Sequence, residues 1–198
     1  MRYPPGHKAE TRQRILSAAE TAFKRKGFQG CGVDAVMAEA GLTAGAFYRH
    51  FESKEHLFAE VLSKALAANQ EHREEGLDDL EGADWVEGLV RRYLSSEHHG
   101  QVEHGCPIPA LASEVSRATP RTQQALHDGL EEWRDQIARH LPLPAEEASR
   151  LAHQLVATMV GAMTLARSLP PHSAQTFLTN TADEAVRSLR HRCSRTPE

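Results

Sequence analysis

Apolar residues recur at helical spacing through most of the chain, and the interruptions mark where each helix stops. In TRQRILSAAETAFKRKGF, the residues Ile15, Leu16, Ala19, Ala22 and Phe23 fall on one face, which predicts an amphipathic helix. It closes at Gly27, with Phe28 tucking back. Val33, Val36, Met37 and Ala40 give a second, shorter helix one apolar face. Gly41 ends it, because glycine takes the left-handed conformation that a C-terminal cap needs, and Leu42 fills the corner. Thr43 is an N-cap residue for a third helix reaching His50. Phe47 and Phe51, four apart, face inward. The outward face is then small at Ala44 and Gly45 and polar at Thr43, Tyr48, Arg49 and His50.

The pattern continues to the C-terminus. Ser53 caps a long helix carrying Leu57, Phe58, Val61, Leu62, Ala65 and Leu66 to about residue 75. After a charged stretch, Asp84 and Glu87 read as a capping-box start for a helix with a stripe of Trp85, Leu89, Val90, Tyr93 and Leu94. Residues 98–105 read as a loop. Pro107 suits the first position of the next helix, with Cys106 as its N-cap. Thr119-Pro120 repeats that signal for a helix to about His140, with Leu126, Leu130, Trp133 and Ile137 aligned. Two further helices follow, over about 145–168 and 173–191, separated by Pro170-Pro171. With no strand signal and no repeat, the chain is expected to be all-α, with about nine helices.

The surface of the third helix is unusual for one that only packs. Glycine inside a helix is disfavoured by about 1 kcal/mol relative to alanine. Small residues at the N-terminal end let a backbone approach a partner closely, and a helix N-terminus favours phosphate. Lys54, in the first turn of the helix that follows, opposes the helix dipole, which a phosphate partner would explain. The arrangement fits a helix-turn-helix whose second helix enters the DNA major groove; an ordinary helical hairpin is the alternative for the turn taken alone. The run RILSAAETAFKRKGF, followed by VDAVMAEAGLTAGAFYRHFESKEHLF, resembles the N-terminal DNA-binding domain of the TetR family of bacterial transcriptional regulators over roughly residues 10–62. It departs from that pattern at Gly30-Cys31-Gly32, where the family more often has Thr or Ser before the second helix.

The resemblance implies a three-helix DNA-binding domain over 1–53 and a helical effector-binding and dimerisation domain over 54–198. It implies a homodimeric repressor on a palindromic double-stranded DNA operator, released by a small-molecule effector. Ala44 and Gly45 would approach base edges, Tyr48, His50 and Lys54 would hold phosphates, and Thr43 and Arg49 complete the expected DNA set. Residues 1–8 read as a flexible arm, with DNA contact through Arg2 and Lys8 as the alternative.

Charge is uneven. The net charge is −4, yet residues 1–64 hold ten Lys/Arg against seven Asp/Glu, so the excess of acid lies in the rest. The start has no secretory signal, and the longest apolar run, Leu155 to Ala166, is too short to span a bilayer. Three cysteines, odd in number and widely spaced, suit a reducing cytoplasm, so a cytoplasmic protein without membrane partners is expected. No phosphate loop, nucleophile elbow or His-Glu-x-x-His occurs, so no enzyme and no cofactor are expected. A helical scaffold without DNA binding and a small helical enzyme are the rivals. His98, His99, His104 and Cys106 match no closed metal site, and no metal is expected.

The last two helices are apolar over so wide an arc that they have two partners to bury. Leu151, Leu155, Met159, Met163, Phe177 and Leu178 are the expected dimer interface, since the two helices pair across a two-fold axis in the resembling family; packing in the monomer core is the alternative. An effector pocket is expected in the bundle interior, walled by Trp85, Leu89, Tyr93, Cys106, Ile108, Leu111, Leu130, Trp133, Met159 and Met163, which suits an apolar or aromatic molecule. HGCPIPALASEV also resembles the Gly-Cys-Pro/Leu start of one helix in a subset of TetR-like regulators. Cys106 is thus either a structural cap or, alternatively, the thiol of an oxidant- or electrophile-sensing repressor.

Overall fold

The stripe that begins at Ile15 closes into α1 (His7–Lys26), and the protein continues through α2 (Val33–Glu39), a 3-10 helix (Ala44–Arg49) and α3 (Lys54–Glu74). Then come α4 (Gly82–Tyr93), α5 (Ser96–Gly100), α6 (Ile108–Val115), α7 (Pro120–His140), α8 (Ala145–Ala166) and α9 (Pro171–Cys193). The structure, a computed structural model, describes residues 7–194, leaving aside the side chains of 7 and 70–73. Among the described residues the fold is entirely helical, as expected. Arg2 lies outside them. Lys8 belongs to α1 and not to an arm.

Two compact units divide the chain. One runs to Ala67 and includes Val102–His127; the other comprises Ala68–Gln101 and Asp128–Glu198. Packing thus groups the first part of α3 and the whole of α6 with the three N-terminal helices, although the boundary expected from the sequence falls at 53/54.

In the first unit α1 packs on α2 and on α6. Ile15, Phe23, Met37, Phe47, Phe51, Leu57 and Phe58 are fully buried. Phe28 stacks on Phe58 (centroids 4.4 Å, 18° between planes), and Phe23 meets both edge-on. One charge is buried with them. The Lys24 side chain is 0% exposed, and its Nζ donates to Glu20 Oε1 (2.7 Å) and to the Gly105 carbonyl (2.9 Å). Those two bonds offset the desolvation of the ammonium.

In the second unit α8 packs on α9, and α4 packs on both. Asp84 and Glu87 do not form the expected capping box. The helix starts two residues earlier, at Gly82, and its N-cap Glu81 makes no side-chain capping bond. Asp84 and Glu87 instead hold Arg190 of α9, and Glu87 also accepts from Arg91, which reaches Asp183. The hydrogen bonds from Arg91 and Arg190 hold the Glu87 carboxyl below its ordinary range. The loop expected at 98–105 begins with a one-turn helix, α5, because Ser95 Oγ accepts the His98 N–H at 3.1 Å. Cys106 is not the cap of α6: that position is Pro107, and Cys106 lies one residue outside, 2% exposed.

Leu151, Leu155, Met159, Met163 and Leu178 are buried within the single chain, where they fill its own core; Phe177 is half-exposed. A stripe of small residues remains outside on α8, at Ala157 and Gly161, continued by Leu165 (58% exposed), with Leu169 just beyond the helix end.

Candidate nucleic-acid interface

The turn before the 3-10 helix is built by glycine. Gly41 has φ +65°, its N–H reaches the Ala38 carbonyl (3.0 Å), and the Leu42 N–H reaches the Met37 carbonyl (2.8 Å). That is a Schellman cap, and it takes up carbonyls at the end of α2. Arg14 supplies another donor there, from Nη2 to the Ala40 carbonyl (2.8 Å). The chain leaves the cap extended through Thr43, whose side chain makes no capping bond.

The next six residues form a 3-10 helix where the sequence suggested an α-helix. Ala46 N–H bonds Thr43 O (3.0 Å) and His50 N–H bonds Phe47 O (2.9 Å), both three residues back. Two ring anchors hold this tight winding: Phe47 and Phe51 are buried, with centroids 5.7 Å apart. With three residues per turn, Gly45 and Tyr48 come into line on one edge. Thr43, Ala44, Gly45, Tyr48 and Arg49 are exposed, Tyr48 to 73%. His50 is half-buried and stands partly behind that face. Nothing in the fold demands glycine at 45: its φ is not positive, and a Cβ there would meet no atom within 4 Å.

The corner after the 3-10 helix is locked by a network that sequence reasoning missed. Ser53 Oγ accepts the His56 N–H (3.1 Å) and so caps α3 as expected. His56 Nδ1 faces the Glu52 N–H (3.4 Å), and its Nε2 lies 2.6 Å from Glu60. Arg12 pairs with Glu60 and also places its guanidinium 4.6 Å over the Phe51 ring. Burial raises the Glu60 pKa, but the hydrogen bonds and charges of Arg12 and His56 outweigh it and leave the carboxyl below its usual range. Only the i, i+4 spacing of Glu52, His56 and Glu60 hinted at this.

Lys54, the first residue of α3, has its Nζ 4.1 Å above the centroid of the Phe28 ring. The cation–π contact, worth about 0.5–1 kcal/mol at an exposed site, offsets the adverse helix dipole. The lysine is therefore held by the fold with its charge at the start of α3, beside the 3-10 helix.

Two stretches of the chain match known family patterns, and the second is the longer. Residues 15–61 match the pattern described as bacterial regulatory proteins, tetR family. Residues 83–187, more than half of the chain, match that of the transcriptional regulator LmrA/YxaF-like C-terminal domain. The chain belongs to the TetR family of bacterial transcriptional regulators. Among its relatives is the HTH-type transcriptional regulator LmrA of Bacillus subtilis, 26% identical over 129 residues, which cover 63% of this chain and 67% of LmrA. The transcriptional repressor NemR of Escherichia coli is 27% identical over 124 residues, 61% of each chain. A crystal structure of a TetR regulator from Chloroflexus aurantiacus superposes with a TM-score of 0.78 at 27% identity, covering 92% of this chain and 96% of that one. The reduced form of E. coli NemR shares the fold at TM-score 0.72 and 22% identity, over 89% and 95% of the two chains.

The residues expected to wall an effector pocket come from both units. Cys106, Ile108 and Leu111 belong to the first unit, and Trp85, Leu89, Tyr93, Leu130, Trp133, Met159 and Met163 to the second. All are buried except Leu130, which is half-exposed. In the second unit the Tyr93 and Trp133 rings lie 5.2 Å apart, and Trp85 stacks on His140 at 3.8 Å. A surface cavity of about 210 Å³ in that unit is lined by Arg91, Ser95, Ser96, Gln175 and Thr179 among others, and by none of the expected wall. Among the described residues no cluster of three or more metal-ligating side chains forms, and no helix is long and apolar enough to cross a membrane.

Proposed function

We propose that this regulator is a homodimeric, ligand-responsive repressor. Residues 1–53 read DNA, and residues 54–198 bind the effector and dimerise. The observation that carries the reading is the exposed edge of the 3-10 helix. Gly45, which the fold does not require, stands in line with Tyr48 on a segment pinned from behind by Phe47 and Phe51. Small residues with a ring and a cation beside them suit a surface laid into the major groove, with Ala44 and Gly45 at base edges and Tyr48, His50 and Lys54 on phosphates. Thr43 and Arg49 flank them. A two-fold dimer then takes two half-sites of a palindrome on one face of the duplex.

For the dimer contact the exposed stripe of α8, with Leu165, Leu169 and Phe177, serves better than the residues the chain buries for itself. For the effector, the aromatic and sulfur-bearing interior of the second unit favours a small apolar or aromatic molecule among Trp85, Leu89, Tyr93, Leu130, Trp133, Met159 and Met163. An effector that binds the DNA-free state more tightly weakens DNA binding by the same factor.

The test is retention of a duplex selected by the wild-type protein from a randomised pool. Tyr48→Ala is expected to weaken binding and flatten its salt dependence, and Gly45→Leu to abolish binding with the melting temperature unchanged. Wild-type affinity in both variants refutes the assignment of this edge.

A second reading is a thiol-based repressor acting through Cys106, favoured by the likeness to NemR, whose solved structure is of the reduced form. Because Cys106 is 2% exposed, a small oxidant suits it better than a bulky electrophile. Cys106→Ser should then abolish release of DNA by hydrogen peroxide; a variant that releases DNA as the wild type does eliminates the thiol reading.

A further inference from the structure

Glu114 lies near the end of α6, far along the chain from the 3-10 helix, and nothing in its sequence context ties it to DNA. Its carboxylate nonetheless takes the two successive main-chain N–H groups that follow α1. Oε2 accepts from Phe28 (2.6 Å) and Oε1 from Gln29 (2.9 Å). The fit is close: a Cβ on Gly27, which itself has φ +76°, would come within 3.1 Å of Oε2. A second bond fixes the other end of this segment, where buried Lys24 donates to the Gly105 carbonyl.

The peptide that Glu114 holds carries the Phe28 ring. Phe58 stacks on one face of that ring, so the Lys54 ammonium, 4.1 Å from its centroid, occupies the other. A continuous line of contact therefore runs from the α6 carboxylate, through the Phe28 main chain and ring, to the charge at the start of α3. Every member lies in one compact unit.

We propose that Glu114 is a positioning residue for DNA binding: by fixing the Phe28–Gln29 main chain it fixes the aromatic platform on which Lys54 meets phosphate. The inference rests on the reading of Lys54 as a phosphate contact. It adds that α6 sets the strength of that contact. A displacement of α6 that withdraws the carboxylate leaves two N–H groups seeking other acceptors, loosens Phe28 and frees Lys54 from its place.

The experiment measures affinity for the selected duplex at several KCl concentrations, using full-length wild type, Lys54→Ala, Glu114→Ala, Glu114→Gln and the double variant Lys54→Ala/Glu114→Ala. Lys54→Ala should weaken binding roughly ten-fold and reduce the log–log salt slope by about one for each phosphate that it no longer neutralises. Glu114→Ala should lose several-fold with a similar fall in slope, even though it removes a negative charge. The double variant should bind within about two-fold of Lys54→Ala, because both changes remove the same interaction. Glu114→Gln preserves the shape but turns an amide nitrogen toward a main-chain N–H, so it should behave as Glu114→Ala does; it carries the test if circular dichroism shows Glu114→Ala to be unfolded. Losses that multiply in the double variant, or a wild-type salt slope in both Glu114 variants, overturn the proposal and leave Glu114 a structural clamp. If Lys54→Ala binds with wild-type affinity and slope, the Lys54 assignment itself has failed, and the route from Glu114 falls with it.

Discussion

Two glycines flank Cys31 in the turn between α1 and α2, and the structure gives them opposite roles. A Cβ on Gly30 would stand 2.3 Å from the Lys26 carbonyl oxygen, a main-chain atom in the last turn of α1 that cannot swing aside. A Cβ on Gly32 would meet nothing within 4 Å. Gly32 is the N-cap of α2, with φ −79° and ψ 162°, and it has no side chain to accept an N–H of the first turn. Gly30→Ala therefore forces the main chain apart, an overpacking effect of about 1–3 kcal/mol. That outweighs the ~0.4–1 kcal/mol gained by restricting the unfolded chain. Gly32→Ser gains the same restriction, already sits in the extended conformation of a cap, and adds a few tenths of a kcal/mol as its hydroxyl accepts an N–H of α2, for roughly 1 kcal/mol in all.

The two variants should differ by roughly 1–4 kcal/mol, which separates their melting temperatures by about 2–16 °C in a chain of this length. Thermal melts at one fixed protein concentration measure this, since the proposed dimerisation would make the midpoint concentration-dependent. A Gly30→Ala variant as stable as Gly32→Ser would show that the turn geometry is wrong. A serine at 32 also places a hydroxyl where the family more often has one, so Gly32→Ser should bind the selected duplex at least as well as the wild type. Weaker binding by a stabilised Gly32→Ser variant would detach this turn from the DNA face.

Two further expectations concern the second unit. Leu165→Glu alters a side chain that is 58% exposed in the single chain, so it should leave the helical content intact and weaken dimerisation at least ten-fold by sedimentation; an unchanged dimer dissociation constant moves the interface off α8. Burial beside Trp85 lowers the His140 pKa, with Glu74 opposing and Arg139 reinforcing the shift, so the folded protein favours the neutral ring. The stability this contributes is present above the unfolded pKa of about 6.5 and is lost as pH falls through the lower folded value. Wild type should lose melting temperature faster than His140→Gln between pH 7 and pH 5, and parallel curves would rule out this linkage.

How much of this was legible beforehand follows from the range of each interaction. Helix ends were readable where the signal is local: Gly41 takes its left-handed turn, Ser53 caps α3, and Pro170-Pro171 separates α8 from α9. The inward rings Phe47 and Phe51 were readable from their four-residue spacing, and the exposure of Gly45 and Tyr48 followed from their place on the opposite side. The winding between them was not, because over six residues the two periods diverge too little for the apolar pattern to separate a 3-10 turn from an α turn. Long-range partners were invisible for a related reason. Asp84 and Glu87 form a capping pattern in the sequence, but in the fold both carboxylates are taken by Arg190, more than a hundred residues away, and the helix starts two residues earlier. Glu114 shows the same limit in the first unit. It is a lone acidic residue on a short helix, and its two hydrogen bonds exist only because the turn after α1 presents adjacent N–H groups to it. The aromatic patch at Phe23, Phe28 and Phe58 could be read as core, but that its outer face carries Lys54 depends on where the Phe28 main chain is held. The residues proposed to read DNA are thus local in sequence, while the side chains that pack behind them, Arg12 over Phe51 and Glu114 on the Phe28 main chain, come from elsewhere in the chain.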